Sequence, residues 1–192
     1  SHETLDKIKQ LPEAHVEKDS QVCVIKDLEK LPSFLVQKED GSSLYLTRDV
    51  TALLYRLKQF DPDAIVYVVG NEQHLHFKQL FAVIKALGHT SATLSHVNFG
   101  MMLTGGKKMS TRKGTLIELT QLMTEAKQKV RDIIAEKGYQ LSEEDIHKLG
   151  IGAIIYNDLS RTRTKDIEFN WDTMLSMDAG SSIYLQYTYA RI

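Results

Sequence analysis

The six residues Ala64-Ile65-Val66-Tyr67-Val68-Val69 are apolar, mostly β-branched, and show no polar alternation. A run of this kind suits a strand buried on both faces, as the strands of parallel sheets are. Phe77, Leu80, Phe81, Ile84 and Leu87 follow at helical spacing, with Gly88 placed to stop that helix. The next apolar, strand-like segment is Ser95-His96-Val97-Asn98-Phe99-Gly100. Parallel strands need a crossover, so strand, helix, strand in this order predicts an α/β fold of the doubly wound kind. Such sheets bind ligands beyond the carboxyl ends of their strands.

The flanking sequence fits around that unit. Residues 3 to 19 are polar with little period and read as a helix turn or loop. Val22 to Ile25 and Phe34 to Gln37 read as short strands, Asp40-Gly41 as a turn, and Leu44-Tyr45-Leu46 as a strand or strand end. Thr47 is then a plausible N-cap for a helix carrying Val50, Leu53, Leu54 and Leu57, with Asp49 in its first turn and Pro62 beyond its end. From about Leu116 the chain turns helical. Leu119, Leu122, Met123, Ala126, Val130, Ile133 and Ile134 form one stripe ending at Gly138, and Ser142 with Asp145 opens another helix through Ile146, Leu149 and Ile155. Phe169 and Trp171 read as core aromatics before a turn of helix near Met174, and Ser181 or Ser182 caps a last helix beginning Tyr184-Leu185-Gln186-Tyr187. The organisation expected is an α/β part to about residue 115 followed by a helical part, with a further domain beyond Ile192.

Composition narrows the function classes. Lys and Arg total 24 against 25 Asp and Glu, a formal charge of -1, so any nucleic-acid contact must come from a local patch. The single Cys23 excludes an intrachain disulfide and a multi-cysteine zinc site, and points to a reducing cytoplasm. No stretch approaches the roughly 20 apolar residues of a membrane span. The first residues, Ser1-His2-Glu3-Thr4, have no signal-peptide pattern and no initiator Met, so part of the chain is expected to precede them.

Three constellations could carry chemistry. Gly105-Gly106-Lys107-Lys108-Met109-Ser110-Thr111-Arg112-Lys113-Gly114 packs cations and hydroxyls between glycines, which reads either as a phosphate clamp or as a solvated turn. It lacks the spacing of a P-loop. Tyr45 and Asp49 offer an aromatic ring and a carboxylate, a pair suited to a guanidinium, the alternative being packing for Tyr45 and helix-dipole complementation for Asp49. Gly70-Asn71-Glu72-Gln73-His74-Leu75-His76 opens a helix after the apolar strand, where Gln73 can orient a substrate and a histidine can reach a phosphate or ribose. His74 and His76 have no third or fourth ligand at metal-like spacing, so no metal site is expected.

In this order the segments resemble one family. Leu44-Tyr45-Leu46-Thr47-Arg48-Asp49, Tyr67-Val68-Val69-Gly70 with Gln73-His74-Leu75-His76-Phe77, His96-Val97-Asn98-Phe99-Gly100, Lys108-Met109-Ser110-Thr111-Arg112-Lys113-Gly114 and Tyr184-Leu185-Gln186-Tyr187-Thr188-Tyr189-Ala190-Arg191 are similar to arginyl-tRNA synthetases, class I aminoacyl-tRNA synthetases. The resemblance runs from about Val22 to the end. It implies the C-terminal half of a Rossmann-like nucleotide-binding fold followed by a helical region. Residues 1–43 would close an inserted connective region, 44–115 would form the second half of the catalytic fold, and 116–192 would lead towards an anticodon-binding domain.

The activity implied is ATP-dependent activation of L-arginine and its transfer to tRNA(Arg), with Mg2+ accompanying ATP and no tightly bound cofactor. By the resemblance, Tyr45, Asp49 and Gln73 hold arginine; His76, Gly100, Lys108, Met109 and Ser110 meet ATP; and Lys108, Ser110 and Arg112 stabilise the leaving pyrophosphate. The wider class usually has a second Lys where this chain has Thr111, so that charge must come from Lys108, Arg112 or Lys113, or from outside the chain. No His-Ile-Gly-His-like sequence occurs in the 192 residues, so the other half of the ATP site is expected upstream and the isolated chain is expected to be inactive. A cytoplasmic, monomeric parent follows, with an exposed half-fold that invites self-association of this chain. The rival readings are a noncatalytic binding or assembly module and a related small-molecule nucleotidyltransferase.

Overall fold

The computed structural model describes residues 2–17, 20–108 and 118–192. They form two compact units, Ser1–Asn98 and Phe99–Ile192, each with its own buried apolar cluster.

In the first unit, helix α1 (His2–Lys9) leads into an antiparallel sheet of β1 (Ala14–Val16), β2 (Cys23–Ile25) and β3 (Phe34–Gln37). His15 pairs with Val24, and Val24 with Leu35. The pleat turns Cys23, Ile25 and Val36 into the core. Asp40-Gly41 is the expected turn: Gly41 has φ 76 and the Asp40 carboxylate accepts the Ser42 N–H at 2.9 Å.

The segment Leu44-Tyr45-Leu46 is not a strand. Leu44 is the extended residue ahead of helix α2 (Tyr45–Phe60), and Thr47 lies inside the first turn instead of capping it. The reason is burial: Leu46 and Thr47 both face the core, and the Thr47 hydroxyl donates to the Val36 carbonyl at 2.6 Å. That satisfies a buried acceptor at the end of β3. The helix ends at Asp61 in the left-handed region (φ 43), whose N–H returns to the Leu57 carbonyl, and Pro62 follows.

Strands β4 (Ala64–Gly70) and β5 (Thr93–Phe99) pair through the crossover helix α3 (His74–Ala86). The Thr93 N–H meets the Asp63 carbonyl at 2.8 Å, His96 meets the Val69 carbonyl at 2.9 Å, and Asn98 meets Asn71 at 2.6 Å. Both strands therefore advance in the same direction, as the sequence pattern requires. Burial of β4 differs from expectation, because the strand alternates. Ile65, Tyr67 and Val69 pack on the core, the Tyr67 ring 4.8 Å from that of Phe77, while Val66 and Val68 are 55% and 64% exposed. Helices α2 and α3 supply one apolar layer; within the described residues the opposite face of β4 has no comparable cover.

The second unit opens with a hairpin of β6 (Met102–Thr104) and β7 (Lys107–Lys108) that the sequence had not revealed. Its turn is Gly105-Gly106, at φ 58 and 69, a conformation that nearly requires glycine at both positions. Strand β8 (Ile167–Glu168) pairs parallel to β6, Met102 opposite Ile167.

Helices α4 (Leu119–Glu136) and α5 (Glu143–Leu159) pack so closely at Gly150 that a Cβ there would lie 3.2 Å from the Ala126 backbone. Ser142 caps α5 as expected, accepting the Asp145 N–H at 3.1 Å and donating to its carboxylate at 2.6 Å. Val130, Ile146, Ala153, Met174 and Ile183 form the core. Phe169 and Trp171 pack edge-to-face on each other at its margin, Trp171 opening the short helix α6 (Trp171–Met174). Ser181, of the two candidates, caps α7 (Ser182–Ala190). Among the described residues no helix is long and apolar enough to cross a membrane.

Candidate functional site

The residues expected to hold arginine gather where two helices begin. Because α2 starts at Tyr45, Tyr45 and Asp49 stand one turn apart on the same helix face, a closer relation than a strand-to-helix turn provides. Tyr45 is 80% exposed and the Arg48 guanidinium lies 6.0 Å from its ring centre. Asp49 is not simply complementing a helix dipole: its Oδ2 is 2.7 Å from Nε2 of His76, in the first turn of α3. The His76 side chain is 24% exposed and that of Asp49 is 50% exposed. A carboxylate held through one oxygen and half open to solvent keeps acceptor capacity for a guanidinium. Gln73 ends the single 3-10 turn Asn71–Gln73 that feeds α3, one turn ahead of His76.

The structure thus brings Asp49 and His76 into direct contact, a pairing across 27 residues that no local spacing announces. His76, expected to meet ATP, has its Nε2 2.7 Å from the Asp49 carboxylate. Behind them lies a second imidazole that sequence reasoning had not singled out as functional. Nε2 of His96 bonds the Val69 carbonyl, which makes that nitrogen the N–H donor and leaves Nδ1 as an acceptor. Nδ1 is buried without a partner among the described residues. The ring stacks 4.4 Å from Phe77 and 5.8 Å from His74. Fixed tautomer and packed ring make His96 a wall for the ends of β4 and β5. Among the described residues no cluster of three or more His, Cys, Asp or Glu could hold a metal ion.

The other residues expected to meet ATP or pyrophosphate fall in the second unit. Gly100 donates its N–H to the Arg163 carbonyl at 2.9 Å, and a Cβ on it would collide with the Lys165 carbonyl. Glycine at this position is therefore demanded by backbone packing, whether or not a ligand also approaches. Of Lys108 the backbone is placed, in β7, opposite Leu103. Met109, Ser110 and Arg112, with Thr111, Lys113 and Gly114, lie outside the described residues.

Comparison with known proteins follows this geometry. Residues 2–171 match the family described as tRNA synthetases class I (R), catalytic domain. An arginine–tRNA ligase of Chloroflexus aurantiacus is 41% identical over 180 residues, covering 91% of this chain and 31% of that protein. One from Exiguobacterium sibiricum is 42% identical over 179 residues, covering 92% and 32%. The chain thus spans about a third of the length of these relatives. The arginyl-tRNA synthetase of Plasmodium falciparum superposes with a TM-score of 0.74 at 27% identity, over 99% of this chain and 33% of that one. That of Thermus thermophilus, at 18% identity and a TM-score of 0.76, shares the fold over 99% of this chain and 38% of its own. A family match over this span, on a parallel strand–helix–strand unit with a carboxylate and an aromatic ring at its helix starts, places the chain in the class I arginyl-tRNA synthetase catalytic-domain family.

Proposed function

We propose that this chain is the arginine-recognising and pyrophosphate-side part of an arginine–tRNA ligase. The observation that carries the reading is the Tyr45, Asp49 and His76 cluster at the starts of α2 and α3. Asp49 takes the guanidinium, Tyr45 lies over its apolar or cationic face, and Gln73 orients the amino acid. His76 holds the carboxylate in place from the α3 side. The whole enzyme joins the arginine carboxylate oxygen to the α-phosphorus of ATP, breaking the bond to pyrophosphate. The terminal ribose hydroxyl of tRNA(Arg) then attacks the activated carbonyl, and AMP leaves.

Lys108, Ser110 and Arg112 offset the charge that builds on the departing pyrophosphate, with Gly100 and Met109 against the nucleotide; Mg2+ enters with ATP as part of the substrate. In this reading residues 1–43 end a connective insertion, 44–115 complete the catalytic fold and 116–192 lead to the tRNA-binding part, in a cytoplasmic enzyme. The chain alone does not complete adenylate formation, since positioning both substrates needs the rest of the site.

Calorimetric titration of the 192-residue chain with arginine, citrulline and lysine tests the assignment. Citrulline keeps the shape of arginine without its charge. A charge-assisted bond contributes about 1.5–3 kcal/mol, so Asp49→Asn should weaken arginine roughly ten- to a hundredfold and remove the preference over citrulline. Equal affinity for arginine and citrulline in the unsubstituted chain would sink the reading.

A further inference from the structure

Between α5 and β8 runs Arg161-Thr162-Arg163-Thr164-Lys165, cations alternating with hydroxyls in an exposed segment. It is held from behind. The Gly100 N–H bonds the Arg163 carbonyl at 2.9 Å, and the Lys165 N–H bonds the Thr162 carbonyl at 2.9 Å. The absence of a side chain on Gly100 lets the Lys165 carbonyl lie against the Gly100 backbone. The acids that follow are turned to backbone duty: Asp166 accepts the Met101 N–H at 2.7 Å, and Glu168 accepts the Gly106 N–H at 3.2 Å. What the strap turns outward includes the exposed side chains of Arg161 and Lys165.

Beside it is a cavity of about 400 Å³ lined by Phe99, Leu159 and Ile167 with Arg161 and Arg163, and one acid, Asp158. Phe99 and Leu159 are 39% and 74% exposed. Among the described residues the Arg161 guanidinium bonds Asn157, at 3.4 Å. A site for one small anion converges its donors on a point. Here they are spread along five residues beside an apolar, partly aromatic surface, which matches a polymer that repeats phosphate, sugar and base.

We propose that this strap is a contact for the phosphodiester backbone of RNA, with Arg161 and Lys165 on phosphates, the Thr162 hydroxyl as a supplementary donor, and Phe99 and Leu159 against a ribose or base. The contact is sequence-independent. It deepens the reading of RNA as a substrate of the parent protein and rests on that reading, but not on the arginine or ATP assignments.

The test is fluorescence anisotropy of a short labelled RNA titrated with the 192-residue chain across a salt series. Arg161→Gln with Lys165→Gln should lower affinity about tenfold and flatten the slope of log K against log salt by about 1.5, two phosphate contacts at roughly 0.7–0.9 each. Arg161→Lys with Lys165→Arg should retain binding. Lys127→Gln with Lys137→Gln, the same charge change on α4 and the residue that caps its C-terminus, should change it less than about twofold. The proposal is overturned if the strap variant keeps wild-type affinity and slope, if the α4 variant loses as much, or if tripolyphosphate displaces the RNA at equal phosphate concentration. Absence of any salt-dependent RNA binding by the unsubstituted chain would remove both this inference and the RNA part of the proposed function. RNA binding indifferent to the strap would remove this inference alone.

Discussion

At the scale of single residues, the structure repeatedly uses side chains for long-range duties that their neighbours do not disclose. Thr47 has the look of an N-cap and is instead a buried donor to Val36. Replacing it with Val should leave that carbonyl orphaned at a cost of about 1–3 kcal/mol, whereas Ser keeps the bond and loses a methyl worth about 0.8 kcal/mol. Urea unfolding of both variants checks this, and equal midpoints would contradict it. Asp49 and Tyr45 were picked out as candidates from the sequence because a carboxylate and a ring near one helix start carry a chemical meaning on their own. The His76 contact was not, because it depends on how α3 lies beside α2. Burial raises the Cys23 thiol above its usual value, with Lys9 acting weakly in the opposite sense. The thiol belongs to the buried apolar cluster of the first unit.

At the scale of elements, the stripes and stops of the long helices were read correctly, while the start of α2 and the β6–β7 hairpin were not. Helices α3, α4 and α5 announce themselves by stripes and stops: Gly88 and Gly138 have φ 86 and 74, and Ser142 caps where its Asp145 partner indicates. The β6–β7 hairpin was hidden because its strands are two or three residues long and the run was dominated by its cations. The start of α2 was misplaced because Leu44-Tyr45-Leu46 has strand composition; burial of Leu46, not propensity, decided it.

One link between elements can be read by pH. The bond to Arg131, from α4 to the first turn of α5, holds the Glu143 carboxyl below its usual 4.5, and Lys127 adds to the effect. A lowered folded-state value means that the contribution is present above 4.5 and is lost as pH falls through the lowered value. The pair is solvent-exposed, so the effect is small. Glu143→Gln should lower the melting temperature near neutral pH and match the parent chain in strongly acid buffer. A difference that persists or grows in acid would contradict this.

At the scale of the whole molecule, the family was legible because five ordered segments each place a chemically meaningful group. The exposure of Val66 and Val68 was not legible. A continuous apolar run states that a strand is compatible with burial on both faces, and only the coordinates show which faces are covered in this stretch of chain. The chain belongs to a family whose curated relatives are about three times its length. The central claim is accordingly about recognition, not turnover: the first unit selects a guanidinium at Tyr45, Asp49 and Gln73. The most direct measurement is a residue-resolved NMR titration of the isotopically labelled chain with arginine and, separately, citrulline. Arginine should shift the amides of Tyr45, Asp49, Gln73 and His76 together, with one saturation curve, and citrulline should leave them in place. Shifts located elsewhere, or the same shifts with citrulline, would contradict the account.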